Sequence, residues 1–477
     1  MDTLKAYFSS IDPHLFAHVS GKPRTFIRVF REQKFLSEEA FARKLCGENY
    51  DSGSYRRWKS QTLKILRALV FISATRGSSL VKKKYDECQK KFFIGQKFLR
   101  EGKRSEGVRL VRQAYLLAKD HEFSHLACEL ASLLHHHHTY YERNKRLAEL
   151  YARKVKQHLG DYPAEKEAEY HFYRIVAQMH QSSVSLKELE CTVVKISECS
   201  GESVKYKVYR ACAIVYHALY VGDYEQVILN CNIILECFEK KDGVYPAHYL
   251  FFLRNRGVAQ IATAQHPQAA ATFREAAQYT MNRPYNVATL EYYRALNAFH
   301  AGEYRLAYEL YQNNRKCKIE DIRQQFAIME AYLGFLIYTG YLPLEKRFRM
   351  GKYLNETFKA QEDKQGSNIN ILIAELLIYL ARDRGKFIDR VDAVRHYSYR
   401  HLKGEATQRA RWFLKMLRLL AHPQVNFHPT AWYRKAGKYA DLLRAQPVRM
   451  GQDFAVEIIP FHVLLQMIED KIIAQVA

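Results

Sequence analysis

Residues 249–279 read YLFFLRNRGVAQIATAQHPQAAATFREAAQY and predict two helices packed side by side. Gly257, Ala269, Phe273 and Ala276 follow one another at intervals of 12, 4 and 3 residues. A glycine lets the first helix approach its partner closely, and the two alanines leave room for an adjoining helix. Phe273 is large enough to fill the gap between neighbouring units. We therefore expect a helical hairpin that packs against further hairpins of the same kind.

Breaks in the helical pattern recur along the chain at nearly constant intervals. They fall at Gly102, Glu142, Ser182, Gly222, Ala264, Gly302, Gly340 and Gly385. The successive intervals are 40, 40, 40, 42, 38, 38 and 45 residues. A period in this range is typical of a solenoid, in which each unit buries its apolar face on its neighbours.

A second unit repeats the spacing of the first. Gly95, Gly107, Val111 and Ala114 are again separated by 12, 4 and 3 residues. On these motifs, roughly residues 85–340 resemble tetratricopeptide-repeat proteins, although that family has a period of 34 residues and the intervals here are near 40. The resemblance implies an all-α fold, a right-handed helical-repeat superhelix behind a small helical amino-terminal module.

Three ranges follow from the change of pattern along the chain. Residues 1–80 are expected to form the amino-terminal module, and residues 81–345 the tetratricopeptide-like repeats. Residues 346–477 are expected to add further helical repeats and a capping helix at Phe461–Ile473. The one short β-like run of the chain, Phe454–Pro460, precedes that helix.

Composition favours a cytoplasmic protein. The amino terminus, MDTLKAYFSSIDPHLF, lacks the basic and apolar regions of a secretory signal. No apolar run approaches the length of a membrane span. The nine cysteines are an odd number and form no CxxC pair, which favours buried free thiols in a reducing compartment.

The net charge of +24 is concentrated in two blocks. Residues 54–112 hold 17 Lys and Arg against 4 Asp and Glu, and residues 382–449 hold 16 against 5. These excesses of 13 and 11 together equal the whole net charge, so the middle of the chain is close to neutral. Such blocks attract phosphate backbones, acidic proteins or anionic membranes, and they also occur as plain solvated surfaces.

The amino-terminal module is predicted to contain helices near Phe26–Gln33, Ser37–Leu45 and Tyr55–Ile72. The last of these has a buried stripe that includes Trp58 and Leu66. Its basic residues are candidate contacts for nucleic acid or an acidic partner: Arg56, Arg57, Lys59, Lys64 and Arg67. A short helix, a turn and a basic helix also describe a helix-turn-helix. The alternative is a three-helix packing module that caps the first repeat.

The segments Phe35–Leu45, Tyr55–Ile72 and Gly95–His121 resemble an uncharacterised bacterial family. In that family a small helical module with a basic, leucine-rich helix precedes tetratricopeptide-like repeats. The resemblance implies an all-helical, cytoplasmic and non-catalytic protein, and it supplies no site residues.

A catalytic-looking motif occurs at His121-Glu122-Phe123-Ser124-His125, which matches the HExxH pattern of zinc proteases. On a helix through this segment, Cys128 and His135 would share the face of the two histidines. The apolar residues lie on the opposite face, so we expect the histidine side to be solvated. The run at residues 135–138 could retain nickel adventitiously.

These patterns predict an interaction scaffold without enzymatic activity, cofactor or metal. No phosphate-binding, dinucleotide-binding or nucleophile-elbow motif is present in the sequence. Tyr292, Tyr304 and Tyr308 are candidate contacts in a peptide groove, or alternatively packing residues between repeats. The leading interpretation is a scaffold that holds a protein or peptide. The alternative is a nucleic-acid-associated regulator, whose module contacts phosphate while the repeats sense a protein or peptide.

Overall fold

The computed structural model is built from helices. It describes residues 2–32, 37–47, 52–73, 80–179, 186–198, 201–239, 246–345, 367–402, 407–425, 427–448, 450 and 457–470. Within these ranges there is no strand, which confirms the all-α prediction. None of the helices in the same ranges combines the length and the apolar character that a bilayer crossing requires.

The chain divides into two compact units, residues 1–162 and 163–477. The first contains α1 (Asp2–Ser10), a 3₁₀ turn (Pro13–His18), α2 (Gly21–Glu32), α3 (Glu38–Cys46), α4 (Gly53–Ile72), α5 (Leu80–Arg100), α6 (Arg104–Asp120) and α7 (Ser124–Tyr140). The division falls at Pro163, inside α8 (Lys145–Met179). The ranges 1–80, 81–345 and 346–477 remain a prediction.

The second unit continues with shorter helices. They are α9 (Leu186–Glu198), α10 (Val204–Val221), α11 (Tyr224–Glu239), α12 (Pro246–Ala262), α13 (His266–Ala276), α14 (Pro284–His300), α15 (Tyr304–Asn314), α16 (Glu320–Tyr338), α17 (Ser367–Arg382), α18 (Arg384–His401), α19 (Gln408–Leu420), α20 (Pro429–Ala445) and α21 (Phe461–Ile468). From α10 onward their buried apolar side chains form one continuous core, as expected when each helix pair packs on the next.

Aromatic packing holds the amino-terminal module together. Phe26, Phe41 and Tyr55 are fully buried, and the rings of Phe26 and Phe41 meet edge to face with centroids 4.8 Å apart. Ser37 and Ser52 start α3 and α4, because their hydroxyls accept hydrogen bonds from backbone N–H groups of the first turns. The three predicted helices are observed as α2, α3 and α4. The sequence analysis missed α1 and the 3₁₀ turn before them.

The hairpin α12–α13 packs as its sequence predicts. A Cβ atom built on Gly257 would lie 2.3 Å from Cε1 of Phe273, so only glycine lets the two helices approach so closely. Ala269, Phe273 and Ala276 are completely buried. The interface prediction for these three residues is confirmed.

Left-handed glycines reverse the chain between several helix pairs. Gly102, Gly222 and Gly302 have φ values of 80°, 84° and 75°, which glycine adopts without steric cost. They separate three packed pairs, α5–α6, α10–α11 and α14–α15. Gly340 follows α16 in the same conformation, and residues 346–366, shortly after it, lie outside the described residues. The break expected at Ser182 also lies outside them.

Two details of the carboxyl-terminal prediction need correction. Gly385 lies in the first turn of α18, and the break falls instead at Asp383. The β-like run Phe454–Pro460 lies partly outside the described residues, and its described part, 457–460, contains no strand. The capping helix begins at Phe461 as expected and is α-helical to Ile468.

Candidate functional site

Helix α4 carries a basic face in the amino-terminal module. Arg56, Arg57, Lys64 and Arg67 are all exposed. At about 3.6 residues per turn these four positions cover roughly one quadrant of the helix. The buried positions of α4, Tyr55, Thr62, Leu66 and Leu69, lie on the opposite side. The face is therefore free of core packing, and Nε of Arg67 donates to the Tyr7 hydroxyl at 3.3 Å.

Lys59 has a different environment from the other four. Its Nζ lies 2.5 Å from Oε1 of Glu38, which also accepts a hydrogen bond from the Tyr55 hydroxyl at 3.1 Å. Partial burial opposes ionisation of Glu38 and raises its pKa. The hydrogen bonds from Lys59 and Tyr55 and the positive charge of Lys59 outweigh this effect, so the pKa of the carboxyl group is lowered. Lys59 thus links α4 to α3, whereas the other four basic side chains project into solvent.

Large apolar side chains are exposed where α4 meets α5. Phe93, Ile72 and Phe71 are 60%, 58% and 45% exposed, and the rings of Phe71 and Phe93 contact each other with centroids 5.7 Å apart. Nζ of Lys90 donates to the carbonyl oxygens at the end of α4, on Ile72 and Ser73. We call Phe71, Ile72 and Phe93 the α4–α5 apolar patch. The sequence analysis did not identify it, although Phe71 and Ile72 lie off the buried stripe of α4.

The three candidate tyrosines have different surroundings. Tyr292 is only 6% exposed and packs against Tyr293 and Phe326 inside the second unit, so it has no surface for a ligand. Tyr308 is half-buried. Tyr304 is half-buried too and lines a shallow cavity of about 590 Å³. The lining residues are Gly302, Glu303, Tyr304, Arg305, Leu306, Glu309, Tyr341, Leu342 and Pro343.

The HExxH segment does not lie on one helix. His121 follows the end of α6, Glu122 has a left-handed φ of 53°, and α7 begins only at Ser124. The expected spacing of two ligands one helical turn apart is therefore absent, which corrects the assumption of a helix through His121. The ring of His125 instead shares a hydrogen bond of 3.1 Å with the Tyr85 hydroxyl.

The histidine run at the end of α7 is mostly buried or half-buried. His137 and His138 are buried, His135 is half-buried, and of the four only His136 is exposed. Nδ1 of His135 donates to the Ala148 carbonyl oxygen at 3.0 Å. The face of His121, His125, Cys128 and His135, which was expected to be solvated, is half-buried at all four residues.

The chain was compared with protein-family models, curated proteins and solved structures, and none of them matches it.

Proposed function

We propose that this protein is a non-catalytic scaffold of tetratricopeptide-like helical repeats that holds another protein. The packed pairs α10–α11, α12–α13 and α14–α15 of the second unit support an array of helical repeats. The right-handed superhelix is what the resemblance to tetratricopeptide repeats implies. The residues of the HExxH segment do not share one helix, and this arrangement supports a role without catalysis. A cytoplasmic location agrees with the eight described cysteines, which are all free thiols.

The α4–α5 apolar patch carries the proposal. Exposed phenylalanine and isoleucine side chains in mutual contact are typical of interaction surfaces. The patch lies within the block of residues 54–112, whose excess of 13 positive charges would repel a basic partner. We infer that the occupant is an acidic segment of another protein that buries an apolar side chain on Phe71 and Phe93.

Affinity capture with matched variants tests this surface. Wild-type protein, Phe93→Asp and Leu116→Asp are used as baits in nuclease-treated extracts of native cells. Leu116 is a suitable control because it is 48% exposed on α6 and lies outside the patch. Phe93→Asp should lose a protein that wild type and Leu116→Asp both retain. Equal recovery with all three baits would overturn the assignment of this patch.

The nucleic-acid-associated regulator remains the second candidate, and the basic face of α4 favours it. Four exposed cations on one side of a helix can contact successive phosphates without any contact to base edges. Nuclease treatment separates the two candidates, because it would remove partners that are held through nucleic acid. The cavity beside Tyr304 is the proposed site for a partner peptide on the repeats.

A further inference from the structure

A cluster of three metal-ligating side chains lies at the turn between α7 and α8. Nε2 of His137 is 3.2 Å from Oε1 of Glu142, and Nδ1 of His138 is 2.7 Å from Oε2 of the same carboxylate. The three ligand atoms lie within 4.8 Å of one another. We propose that His137, His138 and Glu142 bind one divalent transition-metal ion of the zinc class.

The donor set suits that class of ion. Zinc binds imidazole nitrogen and carboxylate oxygen at about 2.0–2.2 Å in a tetrahedral arrangement, so two ligand atoms of one ion lie about 3.4 Å apart. The three atoms lie within 4.8 Å of one another, so binding requires side-chain adjustments of up to about 1.4 Å. Glu142 needs no backbone change, since its side chain is 45% exposed and lies in the turn. Three protein ligands leave a fourth position for water.

The surroundings hold the two rings in place. Each histidine side chain is only 7% exposed. The ring of His138 stacks on Tyr151 of α8, with centroids 5.5 Å apart and planes 10° apart, and the ring of His137 packs against Tyr141. Rings fixed in this way lose little further freedom when an ion binds, which is the usual advantage of a preorganised site.

Electrostatics at the site also favours a cation. The cluster lies at the carboxyl end of α7, where the helix dipole places partial negative charge.

Binding of the ion shifts the hydrogen within each neutral imidazole ring from one nitrogen to the other and releases no proton from it. Without metal, the ring nitrogens that face Glu142 carry the hydrogen atoms that the carboxylate accepts. With metal, those nitrogens donate lone pairs, and each neutral imidazole carries its hydrogen on the other ring nitrogen. The ion would connect the last turn of α7 to the turn before α8.

Metal titration of untagged, full-length protein tests the site. The protein is treated with a chelator, gel-filtered and titrated with Zn²⁺ by calorimetry, and with Co²⁺ by visible absorption. Wild type should bind one ion per chain and melt at a higher temperature when zinc is present. His138→Gln and Glu142→Gln should each weaken binding by at least about tenfold.

His136→Gln is the matched control. His136 belongs to the same histidine run but is exposed and faces the Tyr140 ring instead of the cluster. Its replacement should leave affinity and stoichiometry unchanged. A wild-type protein that binds no ion would overturn the proposal. A His136→Gln variant that binds as weakly as His138→Gln would show adventitious binding by the histidine run and would overturn it too. Glu142→Gln keeps an acceptor oxygen at an exposed position, so it tests the site even if His138→Gln fails to fold.

Discussion

Arg409 and Glu457 form a buried ion pair that attaches the start of α21 to α19. Nε of Arg409 lies 2.5 Å from Oε1 of Glu457, and both side chains are less than a tenth exposed. Arg409 also donates to the carbonyl oxygens of Leu443 and Gln446 at the end of α20. Glu457 accepts a hydrogen bond of 2.8 Å from the backbone N–H of Phe461. One pair thus connects α19, α20 and α21.

Removing one partner of this pair should be strongly destabilising. Glu457→Ala leaves the guanidinium group buried without its counter-charge, and we expect the free energy of unfolding to fall by about 3–5 kcal/mol. Urea unfolding followed by circular dichroism measures the change. The control is Asp441→Ala, because Asp441 forms an exposed pair with Arg444 and should contribute at most about 1 kcal/mol. Similar losses for the two variants would contradict the role assigned to Glu457.

Two glycine-to-alanine substitutions should change the stability of the protein in opposite directions. Gly257→Ala places a methyl group against Phe273 and should destabilise the protein by about 1–3 kcal/mol through overpacking. Gly437→Ala lies inside α20, where an added Cβ meets no atom within 4 Å, and should stabilise by up to about 1 kcal/mol through helix propensity. Melting temperatures of both variants decide the matter, and a shift of the same sign in each would refute the packing argument.

A larger substitution tests the same interface from the other helix. Ala276 is completely buried in α13, so Ala276→Phe must displace neighbouring side chains. We expect a cost of about 1–3 kcal/mol in the free energy of unfolding, measured by urea denaturation. Unchanged stability would mean that the hairpins do not pack in the register described here.

Local patterns predicted the repeat packing but not the long-range contacts. The 12, 4 and 3 spacing identified Gly257 and Phe273 because helix–helix contacts within a hairpin repeat at fixed separations. Arg409 and Glu457 are 48 residues apart, and a hydrogen bond joins Tyr224 to Met450 across 226 residues. Sequence periodicity does not predict such pairs, since they depend on which distant segments the tertiary fold brings together.

The candidate sites show the same limit. The exposure of the α4 basic face followed from its helical period. The helix assumed through the HExxH segment is interrupted at Glu122, which has a left-handed φ, and a glutamate does not signal such a break in the way glycine does. The burial of His138 depends on Tyr151 of α8, which its ring contacts through tertiary packing.

Stability should fall when the pH drops from 7 to 5, in part because of His300. Burial lowers the pKa of His300 to about 4, despite the hydrogen bond to the Glu457 carbonyl oxygen. An unfolded histidine has a pKa of about 6.5, so between pH 6.5 and pH 4 the unfolded chain binds a proton that the folded chain does not bind. This proton stabilises the unfolded state relative to the folded state. The contribution of His300 is fully present above pH 6.5 and declines as the pH falls toward 4.

The expected effect of this one residue at pH 5 is about 2 kcal/mol. Urea midpoints at pH 7 and pH 5 are compared for wild type, His300→Gln and His422→Gln. His300→Gln should show a smaller loss between the two pH values, whereas the exposed control His422→Gln should match wild type. A His300→Gln variant with the same pH dependence as wild type would show that His300 does not cause the loss of stability at low pH.

Charge reversal on α4 tests the nucleic-acid candidate. Arg56→Glu combined with Arg67→Glu should abolish binding of duplex DNA or RNA at low salt, because both side chains lie on the exposed face. The melting temperature should stay nearly unchanged, since exposed charges contribute little to folding. The double variant Lys119→Glu/Lys145→Glu changes the net charge equally at exposed positions outside α4 and should leave binding in place.

Wild-type binding, measured by fluorescence anisotropy, should weaken steeply as the salt concentration rises, because contact with phosphates releases counterions. Absence of binding at low salt, or an equal loss in both double variants, would eliminate the regulator and leave the protein-holding scaffold as the proposed function.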